Sequence, residues 1–302
     1  MNIPDPTRCA ILIPTRNRPG ILRDSLTRIR EAGFGNLSLW IYDDVSDDPG
    51  AIARAATEAW PGAHVIHGKV HAGQAHGRNV LLQSCQCEFA IMLDDDQYFL
   101  ESGRLLEHLD PARRDPACAA VSFQCRDKAD GRLDVPAHIT ARRCASFMGG
   151  CVMFHVPSIL AVGGYREFWG YGYEEPELTT RLFARGYHVW YDPSVLIEHN
   201  HIITSEARRN DVEYDFFYVR NVLLMSSMNM PLWFGLPLGL YRAIRRALAI
   251  HRNPLTKFKA ILSGFYRTFR HWHERTPMST REAVTWLRFT RDWFRFRADT
   301  GN

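Results

Sequence analysis

Asp94-Asp95-Asp96 directly follow a five-residue apolar run, Phe89-Ala90-Ile91-Met92-Leu93, so three carboxylates stand at the end of a buried strand. Side chains alternate on an extended segment, which predicts Asp94 and Asp96 on one side and Asp95 on the other. Neighbouring carboxylates repel unless a cation neutralises them, and Mg²⁺ or Mn²⁺ is typically held by one or two carboxylates together with substrate phosphates. The triplet therefore suggests a metal-diphosphate site; alone, it equally suits a solvated acidic turn or a helix cap. Two more acidic pairs and a histidine pair stand at comparable places: Asp43-Asp44 after the apolar run 37–42, Glu174-Glu175 at a helix start, and His199 and His201 after a short extended segment.

These residues need a scaffold that gathers strand ends. The first half alternates short apolar runs with helix-length amphipathic stretches, the pattern of an α/β protein with a mostly parallel sheet flanked by helices. Strands are predicted at 9–13, 37–42, 63–66, 89–93, 119–123, 150–155, 189–191 and 195–197, with Pro14 ending the first. Helices are predicted at 49–60, 73–84 and 175–185, and Leu22, Leu26 and Ile29 recur at helical spacing. In open α/β sheets the carboxyl edge of the strands is where ligands bind.

The 302 residues suffice for one large domain plus an appendage, read as residues 1–205 and a helical extension at 206–302. Residues 242–302 hold 14 Lys+Arg against 4 Asp+Glu, so within the net charge of +4 the first 241 residues carry −6. The seven cysteines are scattered and no apolar signal segment precedes Cys9, which predicts a reducing, cytoplasmic setting. Cys85 and Cys87 lack the second pair a structural zinc site needs.

Ile13-Pro14-Thr15-Arg16-Asn17, Asp43-Asp44-Val45-Ser46, Gly77-Arg78-Asn79, Leu93-Asp94-Asp95-Asp96, Gly163-Gly164-Tyr165, Glu174-Glu175-Pro176-Glu177-Leu178 and Glu198-His199 occur in one order across about two thirds of the chain. In that order they resemble glycosyltransferase family 2, sugar-nucleotide-dependent enzymes with the Rossmann-like GT-A fold. The resemblance implies a nucleotide held by Pro14, Thr15, Arg16, Asp43, Asp44, Arg78, Asp94 and Asp95, with Asp44 the better match to the base-reading carboxylate. It implies Asp94 and Asp96 as the Asp-x-Asp element binding Mg²⁺ or Mn²⁺, completed by His199, with His201 as the alternative. Glu175 takes the position of the base that deprotonates the acceptor, beside Glu174, where the family more often has aspartate.

The reading is then a metal-dependent inverting glycosyltransferase using a UDP- or dTDP-sugar and a glycan or lipid-linked acceptor. Its rivals are a nucleotidyltransferase that makes sugar nucleotides and a membrane scaffold that binds them without turnover. The first lacks the Gly-rich triphosphate loop after strand one, and the second gives Glu175 no task. Residues 221–241 carry no charge, yet their Ser, Asn, Pro and Gly argue against a full membrane span. The basic tail interleaves Phe265, Tyr266, Phe269, Trp272, Trp286, Trp293, Phe294 and Phe296 with its cations, which predicts peripheral contact with the inner face of a membrane. Nucleic acid is not expected as a partner, because the acidic half would repel it.

Overall fold

The computed structural model describes residues 8–100, 115–200, 212–249 and 253–298. A nine-stranded mixed sheet runs through its centre in the order β3-β2-β1-β4-β8-β6-β9-β5, with β7 paired to β9. Strands β1 (Cys9–Thr15), β2 (Ser38–Asp43), β3 (His64–His67) and β4 (Phe89–Met92) form a parallel block. The remaining strands are β5 (Gln97–Phe99), β6 (Cys118–Asp127), β7 (Arg142–Cys144), β8 (Val152–His155) and β9 (His188–His199).

Alternation along β1 divides the core. Ile11 and Ile13 face one hydrophobic layer with Leu22 and Leu26 of α1 (Pro19–Ile29) and Ile52 of α2 (Pro49–Ala59). Ala10 and Leu12 face the other, with Leu81 of α3 (Gln74–Ser84), Ile159 of α4 (Val156–Ala161), and Leu178 and Leu182 of α5 (Glu174–Ala184).

Several predicted boundaries move for identifiable reasons. Strand β1 continues through Pro14 to Thr15, because its pairing with β4 ends at Leu12 and beyond that point it is bordered by β2 alone. A missing N–H is tolerated there. The two segments expected at 189–191 and 195–197 are one long strand, β9, with a register irregularity against β6 between Phe123 and Gln124. Strands β5 and β7, each three residues long, escaped the sequence reading because they are too short to show a period.

The charge-free stretch 221–241 spans two helices, α6 (Val212–Asn229) and α7 (Leu232–Ala249), rather than one. Its glycines admit close backbone packing: a Cβ on Gly235 would stand 2.3 Å from the Ser226 carbonyl oxygen, and one on Gly239 2.9 Å from that of Leu223. Gly264 of α8 (Pro254–Arg270) lets that helix approach Leu223 in the same way. Among the described residues no helix is long and apolar enough to cross a membrane. The last helix, α9 (Thr280–Ala298), carries Trp286 and Trp293 into the core, where they meet Phe183 and Tyr191. Those two tail aromatics are therefore structural, whereas Tyr266, Phe269, Trp272 and Phe294 stay exposed and Phe265 is half-buried. The side chain of Phe296 lies outside the described residues, as do His201 and the boundary drawn at 205.

Candidate active site

The acidic triplet closes β4 in a turn, with the Gln97 amide donating to the Asp94 carbonyl at 3.1 Å. The turn overrides the alternation expected of a strand and distributes the carboxylates differently. Asp94 Oδ1 accepts from Gln74 (2.8 Å) and Arg78 (3.0 Å). Asp95 accepts from Thr15 Oγ1 (2.6 Å) and Arg18 (2.8 Å), and Asp96 shares the same guanidinium at 3.2 Å. Asp95 and Asp96, not Asp94 and Asp96, are thus the pair that shares one cation. Burial pushes Asp95 up to about 6, against the opposing pull of Arg18.

His199 reaches the triplet through the sheet. The β5–β9 ladder pairs Gln97 with His199, and the Asn200 amide donates to the Asp96 carbonyl, which brings His199 Nε2 to 3.0 Å from Asp96 Oδ1. Glu198, one residue earlier, binds Tyr98 and Arg126 instead. Burial opposes a charged imidazole, but Asp96 and Cys125 outweigh it and push His199 up to about 10. A pocket that holds a proton this firmly has the negative field a divalent cation requires, and its oxygen and nitrogen donors suit Mn²⁺ or Mg²⁺. Among the described residues no three His, Cys, Asp or Glu side chains cluster closely enough to hold an ion unaided. The fit is therefore to an ion that takes its remaining ligands from substrate phosphates and water.

Asp43 and Asp44 stand at the end of β2 beside Thr15. Asp43 accepts from the Ser46 amide and hydroxyl and from His67, closing a turn that holds Val45 at φ 59°, a costly angle for a β-branched residue. Asp44 accepts from the amides of Ala72 and Gly73 and from His71, so it ties the loop before α3 to the sheet edge. Each oxygen of a carboxylate has two acceptor sites, and Asp44 Oδ1 uses one here. Arg16 is exposed and contacts His71 at 3.3 Å; Pro14 lies beside Tyr42 in the register of β1 and β2.

Arg78 connects the two halves of the cleft. It is 1% exposed, donates to Asp94, and approaches Glu175 Oε1 at 3.4 Å. Burial works against its charge, but Asp94 and Glu175, among other neighbours, more than compensate. The adjacent Asn79 exchanges two 2.8 Å hydrogen bonds with the backbone of Tyr165, which joins the Gly77-Arg78-Asn79 block to Gly163-Gly164-Tyr165. Gly149 and Gly150 floor the cleft: a Cβ would stand 2.3 Å from Glu175 Oε1 at the first and 2.6 Å from the Asp94 amide at the second.

Residues 10–157 match glycosyl transferase family 2, and residues 138–202 match the N-terminal domain of galactosyltransferase. The first half of the chain is thereby placed in glycosyltransferase family 2. A pre-mycofactocin glycosyltransferase of Mycobacterium tuberculosis is 28% identical over 63% of this chain and 42% of its own. The chain thus spans under half the length of the curated relatives it matches. Among solved structures, the mannosyltransferase PcManGT from Pyrobaculum calidifontis, in complex with GDP-Man and Mn²⁺, superposes with a TM-score of 0.55 at 16% identity, covering 98% of this chain and 88% of that one. GalNAc-T7 with UDP, GalNAc and Mn²⁺ gives 0.55 at 14% identity over 74% and 51%, and S. aureus TarS 1–349 gives 0.52 at 12% over 87% and 72%. The fold is GT-A.

The two glutamates at the start of α5 have different surroundings. Glu174 is buried, its Oε2 has no hydrogen-bond partner among the described residues, and burial together with neighbouring Glu175 pushes it up to about 8. Glu175 keeps 17% of its side-chain surface and is also raised, by burial first, against Arg78 and with help from Asp94. Glu177 shifts the opposite way from the pair before it. Burial alone would raise its pKa, but Arg181 and Arg166, each at 2.8 Å, hold it below the usual range.

That ion triad fixes α5, and Glu177→Ala is expected to lose about 3–5 kcal/mol of stability by leaving two buried cations uncompensated. The stabilisation is present above the ordinary glutamate pKa and is lost as pH falls through the depressed folded value. Denaturant unfolding of the variant at neutral pH checks this; parental stability would contradict it.

Arg18, Gln74, Gln97 and the two glycines at 149–150 are site residues that the sequence reading did not single out. Arg18 follows the first strand end, and that position was the available signal. The glycines gave none, because a need for space is invisible without the neighbour that fills it. Of the aromatics just upstream of Glu174, Trp169 is core, Tyr173 is half-buried and Tyr171 is exposed.

Proposed function

We propose that this chain transfers a sugar, with inversion, from a nucleotide donor to a hydroxyl of a glycan or glycolipid acceptor, using Mg²⁺ or Mn²⁺, with UDP- and dTDP-sugars favoured. The observation that carries the reading is the Arg78 bridge, one guanidinium in contact with both Asp94 of the triplet and Glu175. Asp96 and His199 would hold the ion, with Asp94 beside them; Pro14, Thr15, Arg16, Asp43, Asp44, Arg78 and Asp95 would hold the nucleotide. A bound divalent ion supplies charge stabilisation to the departing diphosphate. The complexes with Mn²⁺ and sugar nucleotides among structures of the same fold support this part of the reading.

Glu175 is the base of the reaction. Its carboxylate takes the acceptor hydroxyl's proton as that oxygen bonds to the anomeric carbon, and the bond from that carbon to the diphosphate oxygen breaks with the electron pair leaving on the nucleoside diphosphate. A raised pKa suits a carboxylate that must accept a proton near neutrality. Arg78 orients the Glu175 carboxylate, and Glu174, kept uncharged by burial, spares the cleft a further anion.

Nucleotide sugars screened for hydrolysis are expected to turn over with Mn²⁺ or Mg²⁺ and to stop with EDTA. Turnover that EDTA leaves intact would remove the metal from the proposal.

Peripheral contact with an anionic membrane belongs to the same reading. Along α8, Leu255, Phe258, Leu262, Tyr266 and Phe269 form one exposed stripe, and Leu248 of α7 is 71% exposed nearby in sequence. Lys259, Arg245 and Arg270 flank these residues, each cation near an anionic surface contributing roughly 1 kcal/mol. Sedimentation with phosphatidylglycerol liposomes is expected to weaken as salt rises; no sedimentation at low salt would end this part.

A further inference from the structure

Helix α7 packs Gly235, Gly239 and Ala243 against the protein and carries a cluster of arginines on the side facing α9. Tyr241, Ile244 and Leu248 point to solvent, while Arg242, Arg245, Arg246 and Ala249, at spacings of three, one and three residues, line a cavity of ≈ 430 Å³. That volume falls in the range of small-molecule sites. The opposite walls are apolar, with Val222 and Met225 from α6 and Trp286, Leu287 and Phe294 from α9; Arg291 of α9 adds a fourth guanidinium. Among the described residues no acid lines the cavity.

Nothing in the described structure balances the three α7 cations. Arg246 lies over the Tyr218 ring at 4.9 Å and Arg245 over Tyr241 at 5.8 Å, and among the described residues none of the three pairs with a carboxylate. Arg242 is half-buried, and its pKa is lowered by burial against only the opposing influence of Tyr173. Unpaired cations beside apolar walls are unfavourable in isolation, and a guanidinium fork fits phosphate or carboxylate in two-point fashion.

The cavity also adjoins the proposed base. Tyr173 and Pro176, which flank Glu174 and Glu175, form part of its wall, and Ala145 begins the loop that carries Gly149 against Glu175. We infer that this cavity receives the acceptor, and that the acceptor is an anionic amphiphile: a phosphate or carboxylate attached to an apolar body, with the anion on the α7 arginines and the body between α6 and α9. The inference rests on the assignment of Glu175 as base, and it names the acceptor's chemical class.

The test uses the full chain and octyl phosphate, with octanol and inorganic phosphate as controls, by titration calorimetry without metal or donor. Octyl phosphate is expected to bind at least about tenfold more tightly than either control. The double variant Arg245→Met/Arg246→Met, both positions exposed, and the cavity-filling Leu287→Trp are each expected to weaken it about tenfold, with circular dichroism confirming the fold. Equal binding of octanol and octyl phosphate, or parental affinity in both variants, overturns the inference. So does loss of phosphatidylglycerol liposome binding in the double variant with octyl phosphate affinity unchanged, since the arginines would then serve a bilayer and not this cavity. Failure here with metal-dependent donor turnover intact sinks the acceptor class alone; octyl phosphate binding by a chain that turns over no donor sinks the proposed function and the acceptor assignment with it.

Discussion

Glu175→Gln is expected to lower sugar transfer by about 10²–10⁴-fold while leaving donor affinity unchanged. The substitution keeps the size of the side chain beside Arg78, 3.4 Å away in the parent, and removes the carboxylate's charge and with it the capacity to accept a proton. Because burial raises the Glu175 pKa, the parent's transfer rate should climb with pH through a limb above the ordinary glutamate value of about 4.3. The base must be deprotonated to work, so activity is lost on the acid side of that limb. Transfer at the parental rate in the variant would reassign the base, and the buried Glu174 would be a poor substitute because it is only 6% exposed.

Asp96→Ala is expected to abolish metal-stimulated donor turnover, a loss of at least about 10²-fold, since Lewis-acid stabilisation of a leaving group contributes several kcal/mol. The variant removes the carboxylate that His199 faces at 3.0 Å and leaves Arg18 paired with Asp95. Its effect should therefore be local, and thermal unfolding run alongside would separate it from a general loss of structure. Donor turnover at the parental rate with Mn²⁺ present would show that Asp96 does not hold the ion. The two variants are distinguishable from each other: Glu175→Gln should still respond to EDTA in its residual donor hydrolysis, whereas Asp96→Ala should not.

The parallel half of the sheet was legible because β1 and β4 are buried on both faces and read as apolar runs, and β2 is apolar from Leu39 to Tyr42. The strand ends at Asp43-Asp44 and Asp94-Asp95-Asp96 were legible for the same reason: a buried run must stop where carboxylates begin. Glycine-bearing blocks such as Gly163-Gly164-Tyr165 were recognisable as blocks, but their attachment to Asn79 was not, since that hydrogen-bond pair joins residues 86 positions apart.

The basic-aromatic tail shows where composition stops being informative. Trp286 and Trp293 share the tail's amphipathic character with Tyr266 and Phe269, yet the first two fill the core and the second two face solvent. Helical period assigns a residue to a face of its own helix; which neighbour covers that face depends on how α9 and α8 are carried across the sheet and onto α6. The charge-free stretch 221–241 illustrates the same limit, because its glycines serve helix contacts within the protein.

By itself, the sequence determined the fold class, the strand ends at which acids collect, and the order of motifs that places the chain in its family. These depend on local periodicity and residue type, which are properties of neighbouring positions. Only the tertiary structure decided that Asp95 and Asp96 share Arg18, that β5 and β9 pair in a register that sets His199 against Asp96, that Arg78 spans from Asp94 to Glu175, and that the α7 arginines border an apolar cavity. Each of these joins residues distant in sequence, and the free energy that selects one such pairing over another comes from burial and charge neutralisation in the assembled core, where no short stretch of chain carries the information.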